Sequence, residues 1–387
     1  MVFNHVRLLA PKVEHIHILT FIEQQEQRAL ADELERTFEN VSVQTVLLPP
    51  SRSRLGALRG LISSDLPLQL HYYRSRDYAS ALRDTVARQP FDACYIQLIR
   101  MAQYMHLLLP MTKVLALTDC LTLRYERSAP YVRGWTAFVD ARERQRVTRY
   151  ETAITGEADV SFVVNGADRD KLVALGAKGR LAVLELGVDL DYFQPNHEEK
   201  PEPRSAVLVG NFHSVPNQDA VRYAVHDVWP LVRDRFPDAR LEIVGILVPK
   251  WIRALDGKDG VVVRGGVDDV RPHLWRSALS LCPMRIAAGT QFKVIESLAL
   301  GVPVVTTPLA LEGLGPDGGK GILVGENPES MARAVASVFE SSARRDDLAR
   351  QGRAFVEEHF NWQDRAERLL ELMGGGNPSQ GGQQPGR

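Results

Sequence analysis

The residues best suited to chemistry lie in the run CPMRIAAGTQFKVIESLALGVPVV, positions 282–305. An apolar strand ending near Met284 leads into an Ala-Ala-Gly loop, then Thr290 as a helix cap, then a helix that stops at Gly301. A helix N-terminus reached through a glycine loop turns unpaired N–H donors and the positive end of its dipole toward an anion. Gly289 has no Cβ to hold a phosphate off the backbone. Lys293 and Glu296 are three apart and share a helix face, so one can neutralise a diphosphate while the other accepts hydrogen bonds from ribose hydroxyls. Arg285, at the strand end, adds a forked cation suited to phosphate. Gln291 completes the group of candidate binding residues. A capped helix with a local Lys–Glu pair is the plain alternative for each residue singly; the combination favours a ligand site.

These residues need a scaffold, and the chain supplies one. Apolar β-branched runs at 14–21, 41–48, 91–98, 113–118, 160–165 and 181–185 alternate with helical periodicity at 24–39, 76–89, 138–157 and 167–175. Apolar strands joined by helices predict parallel sheet covered on both faces. The pattern pauses over FQPNHEEKPEPR, which reads as a linker. It resumes with strands at 206–210, 239–245, 260–265, 279–284, 302–307 and 321–325, and helices at 217–236, 291–300 and 328–341. The expected architecture is α/β, two Rossmann-like doubly wound domains facing across a cleft. The first domain spans 1–192, the linker 193–204, and the second domain 205–344. Two closing helices fill 345–373, and a disordered tail follows at 374–387.

The 282–305 segment resembles the donor-site signature of glycosyltransferase family four, the group one transferases of the GT-B fold. Arg285, Gly289, Thr290, Lys293 and Glu296, then Ser297 to Val305 and the Glu312-Gly313-Leu314 turn, carry the likeness. The resemblance implies that Glu296 holds the nucleotide ribose while Lys293 and Arg285 hold the diphosphate. It also implies transfer with retention of configuration and no protein nucleophile. Ala288 stands where many members have a second glutamate, which leaves sugar orientation unassigned. LVGNFHSVPNQDAV (208–221) resembles the first donor-domain loop, with Gly210 and Asn211 as candidate contacts and His213 in place of the family's cations. Near Val267, RGGVDDVRPHLWRSA resembles the loop that binds the base through its backbone. LELGVDLDYFQP resembles the family hinge, with Leu186 in place of asparagine, and the last helix is similar to one that crosses back onto the first domain. Members begin with a strand and glycine loop ahead of the helix that FNHVRLLA resembles, and that strand would lie mid-sheet.

The acceptor side is less legible. Asp119 follows the strand LALT and would face the cleft, as a contact for an acceptor hydroxyl or the transferring sugar, or else as a helix N-cap. From 51 to 150 the chain has sixteen Lys/Arg against eight Asp/Glu. Arg52, Arg54, Arg59, Arg74 and Arg76 surround Tyr72 and Tyr73, and Arg142, Arg146 and Arg149 share a helix. A solvated surface and a face resting on anionic lipid both fit.

Composition excludes other classes. The net charge of -1 argues against nucleic acid as a partner. Cys94, Cys120 and Cys282 are widely spaced in apolar runs and read as reduced core thiols. Asp189-Leu-Asp191 lacks the oxygen-rich surroundings of a metal site, so neither metal nor cofactor is expected. No run approaches the length that crosses a bilayer, and the N-terminus reads as no secretory signal, so a cytoplasmic location or the cytosolic membrane face is expected. The partners expected are a nucleotide-sugar donor and a carbohydrate or lipid-linked acceptor in cell-surface polysaccharide or glycolipid assembly. A sugar-nucleotide epimerase, a phosphorylase and a non-catalytic nucleotide-sugar-binding subunit are the competing readings.

Overall fold

The computed structural model describes residues 2–374 apart from 109, 186, 316 and 317. The hinge position Leu186 and the tail beyond 374 lie outside the described residues.

Every paired strand runs parallel to its neighbours. In the first half these are β1 (Ile16–Ile22), β2 (Val41–Leu47), β3 (Ala93–Gln97), β4 (Thr112–Thr118), β5 (Val160–Val163) and β6 (Leu181–Val183). They form two sheets, β1-β2 and β3-β4-β5-β6.

The second half carries β7 (Glu202–Val209), β8 (Arg240–Val244), β9 (Val261–Gly265), β10 (Ser277–Cys282), β11 (Val304–Thr306) and β12 (Ile322–Val324). Their order is β12-β11-β10-β7-β8-β9. The chain winds outward from β7 in one direction, then returns to β10 and winds outward in the other. This topological switch opens a crevice beyond the carboxyl ends of β7 and β10, the site ligands occupy in such sheets. The interior strands are apolar because helices cover both faces; Val207, Ile243, Leu279 and Val305 are all fully buried.

Some boundaries differ from the sequence reading. β7 begins at Glu202, inside the expected linker, because the Glu202 N–H pairs with the Arg276 carbonyl. The helix read over 217–236 is Val215–Tyr223, a π-helical turn Ala224–Val228, and Trp229–Arg235. A helix over Pro50–Ser63 was not anticipated; Gly56 and Gly60 lower its intrinsic propensity. Gly60 serves packing, since a Cβ there would lie 2.2 Å from the His71 ring. Finally, the helix Trp362–Met373 lies on the β3-β4-β5-β6 sheet: Ala366, Leu369 and Leu372 pack with Val114, Ala116, Val160 and Phe162.

Candidate functional site

The crevice is lined by the turn after β7 and the loop after β10, and Asn217 ties the two together. Asn217 Nδ2 donates to the Asn211 carbonyl at 2.9 Å, and Asn217 Oδ1 accepts from Lys293 Nζ. A Cβ on Gly210 would press on the Asn217 side chain at 3.1 Å, so glycine allows this approach. Asn211 Oδ1 accepts from the His213 N–H and shapes the turn locally. Val267 is farther along the same edge, packed in a cluster with Val244 and Leu274.

The helix after the loop is Phe292–Ala299, one residue later than the sequence suggested. Gln291 is its N-cap without a side-chain capping bond, and its Nε2 donates to the Ala288 carbonyl at 3.3 Å. Thr290 is therefore not the cap. Its hydroxyl reaches the Gly313 carbonyl at 2.9 Å and pins the loop to the Glu312-Gly313-Leu314 turn. Val294, Ile295, Ser297 and Leu298 are buried, which leaves Phe292, Lys293 and Glu296 on the partly open face. Phe292 packs with Val164, Trp362 and Leu8, so that face lies on the seam with the first half of the chain. Burial lowers the lysine's affinity for its proton and raises that of Glu296.

Arg285 is not a free cation. It makes a two-point contact with Asp219, Nε to Oδ2 at 3.0 Å and Nη2 to Oδ1 at 2.7 Å, and its guanidinium faces the Tyr223 and Tyr131 rings. The Asp219 hydrogen bonds raise its already high pKa. They also fix the plane of the guanidinium and leave the Nη1 edge, 3.9 Å from Asp227, as the least engaged.

Across the seam, the first half meets the glycine loop with carboxylates. Gly289 has φ +69°, a left-handed conformation that favours glycine, and a Cβ there would fall 2.0 Å from Asp119 Oδ1. Asp168 accepts from Asn165 Nδ2 at 3.0 Å and lies near the Gly289 and Cys120 N–H groups, which favour its charged form. Asp119 is not a helix cap: Cys120 occupies that position, its sulfur accepting from the Leu123 N–H. Burial, then the Asp168 charge, push the Asp119 carboxyl from 3.8 up to about 7. Burial likewise raises Asp168 to about 6, against the pull of its hydrogen bonds. The residue before, Thr118, has φ +70° and a buried Oγ1 without a partner. A β-branched residue held there stores backbone strain, a feature that gathers at functional sites.

A second bridge closes the seam. Arg127 Nη1 donates to the Ala287 carbonyl at 2.8 Å while its Nη2 pairs with Glu312. Asp119, Arg285, Lys293, Glu296, Gly289, Thr290 and Gln291 thus lie along one seam, joined by Asn217, Asp219, Arg127 and Asp168. Gly210 and Asn211 reach it through Asn217, whereas Val267 packs away from it with Val244 and Leu274. Of the other residues singled out, Asp189 pairs with Arg7 and accepts from the Asp191 and Tyr192 N–H groups, which explains its Asp-x-Asp spacing as a turn. Arg146 is not solvated: it is 2% exposed and donates to the Leu61 carbonyl at 3.0 Å.

Residues 203–341 match the family model described as Glycosyl transferases group 1, which spans β7 to the helix Pro328–Phe339. A curated relative, the GDP-mannose-dependent alpha-(1-6)-phosphatidylinositol monomannoside mannosyltransferase of Mycolicibacterium smegmatis, is 26% identical over 270 residues, covering 62% of this chain and 67% of the relative. Among solved structures, Anabaena HepE in complex with UDP and glucose superposes with TM-score 0.64 at 12% identity, over 93% of this chain and 99% of that one. Sucrose-phosphate synthase of Thermosynechococcus elongatus gives TM-score 0.66 at 15% identity, over 92% and 98%. The fold is GT-B, and the family match falls in its second half.

Proposed function

We propose that the protein is a retaining glycosyltransferase that takes a sugar from a nucleoside diphosphate to a glycolipid or polysaccharide acceptor at a cell surface. In this reading residues 205–344 bind the donor, residues 1–192 hold the acceptor, and 193–204 link them. The observation that carries it is the crevice at the β7–β10 switch, where a left-handed glycine loop, a half-buried lysine and a fixed arginine converge beside a carboxylate. The group 1 match over the same stretch supports it, and the mannosyltransferase relative supports a lipid-linked acceptor.

Diphosphate leaves as the sugar–oxygen bond breaks, and its growing charge needs preorganised donors. The Thr290 amide, Lys293 and the least engaged edge of Arg285 supply them, with Asn217 and Asp219 holding the two cations in place. Glu296 takes the ribose hydroxyls, Gly210 and Asn211 flank the phosphates, Gln291 borders the sugar, and the backbone at Val267 meets the base. Asp119 faces the transferring sugar or the acceptor hydroxyl. Seating one half against the other excludes water and limits hydrolysis of the donor.

A thermal-shift screen of nucleotide sugars identifies the donor, because a ligand of the folded state alone raises Tm. Lys293→Ala and Glu296→Ala, with unchanged circular dichroism, then lower turnover by roughly a hundredfold or more. Turnover like the parent's in both variants removes the site assignment. Sugar epimerisation or phosphorolysis without an acceptor replaces the reaction, and donor binding without transfer favours a binding subunit.

A further inference from the structure

The helix Trp135–Ile154 shows two unlike faces. Glu143, Arg146, Val147, Glu151 and Ile154 are buried, and Glu143 and Arg146 hold the helix Pro50–Ser63 and the strand-free segment after it: Leu68 N–H to Glu143 at 2.6 Å, and Arg146 to the Leu61 carbonyl. The opposite stripe reads Trp135, Phe138, Arg142, Gln145, Arg149, all exposed and without a carboxylate. Trp135 and Phe138 are 72% and 60% exposed, and their rings stack at 5.4 Å. Arg133, Arg142 and Arg149 form no ion pair among the described residues. The helix Pro50–Ser63, held on the inner face, exposes Leu55 (49%) and Leu58 (60%).

Large stacked rings held in water are costly to leave uncovered, since each buries 150–250 Å² at about 25 cal/mol per Å² when it finds apolar surroundings. A soluble protein partner would match the rings, but a row of unpaired arginines behind them calls for a dense negative surface as well. A helix with stacked aromatics on its exposed face, and arginines as its only charges there, fits the boundary between acyl chains and anionic headgroups. Among the described residues no helix is long and apolar enough to cross a membrane, so the contact would be one of lying on the surface.

We propose that the exposed face of Trp135–Ile154 docks the protein on an anionic lipid bilayer. Trp135 and Phe138 enter the acyl boundary, and Arg133, Arg142 and Arg149 meet headgroup phosphates. Tyr131, four residues before Trp135, lies 5.2 Å below the Arg285 guanidinium. Docking therefore brings the bilayer to the edge of the seam, where a lipid-linked acceptor would enter. That last step rests on the glycosyltransferase reading; the docking does not, and its test measures no turnover.

The test is cosedimentation of the full chain with vesicles of phosphatidylcholine alone and of phosphatidylcholine doped with phosphatidylglycerol. Binding to doped vesicles only, weakened by salt, with a blue shift of tryptophan emission, is the expected result. Trp135→Ser with Phe138→Ser lowers partitioning by roughly tenfold. Arg142→Ala with Arg149→Ala lowers it by about fivefold for each arginine. All four side chains are exposed, so folding is spared, and an unchanged Tm checks this. Equal binding to neutral vesicles, no binding to doped ones at low salt, or full binding by the ring variant overturns the proposal. So does concentration-dependent self-association that the ring variant abolishes, which would make the patch an interface between copies.

Discussion

Gly289→Ala tests the seam most directly. The backbone there sits at φ +69°, where an alanine costs about 1–2 kcal/mol relative to a right-handed conformation. Its Cβ would start 2.0 Å from Asp119 Oδ1, and real Cβ contacts essentially never fall below 3.0 Å, so the carboxyl must withdraw by at least 1 Å or the two halves part. Strain alone predicts a Tm lower by roughly 2–4 °C per kcal/mol. Withdrawal of the loop also moves the neighbouring Thr290 amide proposed to grip the diphosphate, so donor affinity by calorimetry falls by about tenfold or more, since a charge-assisted hydrogen bond contributes about 1.5–3 kcal/mol. The double variant Gly289→Ala/Asp119→Ala separates the two causes. It keeps the strain but removes the clash, so part of the Tm returns, and the non-additivity measures the contact. A Gly289→Ala protein with parental Tm and parental donor affinity would refute both the geometry and its proposed use.

The carboxyl pair predicts a pH dependence. The Asp119 pKa is raised from 3.8 to about 7 on folding, so the folded chain binds more protons than the unfolded one across that window. Its contribution to stability is full below 3.8 and lost as pH rises toward 7; Asp168, raised to about 6, acts with the same sign. Tm should therefore fall on this account as pH rises through the window, and Asp119→Asn should flatten the slope; an unchanged slope excludes the pair as its source. Arg127→Ala removes both the Ala287 and Glu312 bonds, and small-angle scattering should report a larger radius of gyration, an identical profile being the contrary result. Leu369→Ala empties a fully buried position between the last helix and the β3-β4-β5-β6 sheet, at a cost of about 2–5 kcal/mol; a Tm within a degree or so of the parent would show that this helix does not hold the sheet.

The parallel strands were legible because their buried stretches are continuous apolar runs, Val114 to Leu117 in β4 and Ala206 to Leu208 in β7, and few other elements write such runs. The glycine loop and the helix after it were legible because their chemistry is local in sequence. What escaped was set by distance. Asp219 meets Arg285 across 66 residues, Asn217 meets Lys293 across 76, and Arg127 meets Ala287 across 160, so no spacing rule links them. Asp168 escaped for a subtler reason. At the third position of its helix, with Asn165 as cap, it looks like an ordinary acidic first turn, and only the fold brings the Gly289 amide to it. The helix Pro50–Ser63 was hidden by its own glycines, whose purpose is to admit His71. Arg146 shared the pattern of its solvated neighbours but falls on the inner face of its helix, where three carbonyls capture it.

The placement of the last helix has a consequence for how the chain comes into being. Val114, Ala116, Val160 and Phe162 leave the ribosome well before Ala366, Leu369 and Leu372, the residues that cover them. During synthesis the β3-β4-β5-β6 sheet must wait with one greasy flank bare, a state in which chains adhere to one another or call for chaperones. Nascent chains stopped short of Trp362 should therefore be the stickiest the ribosome releases, and translation to the final helix is what turns a half-dressed sheet into a finished lobe.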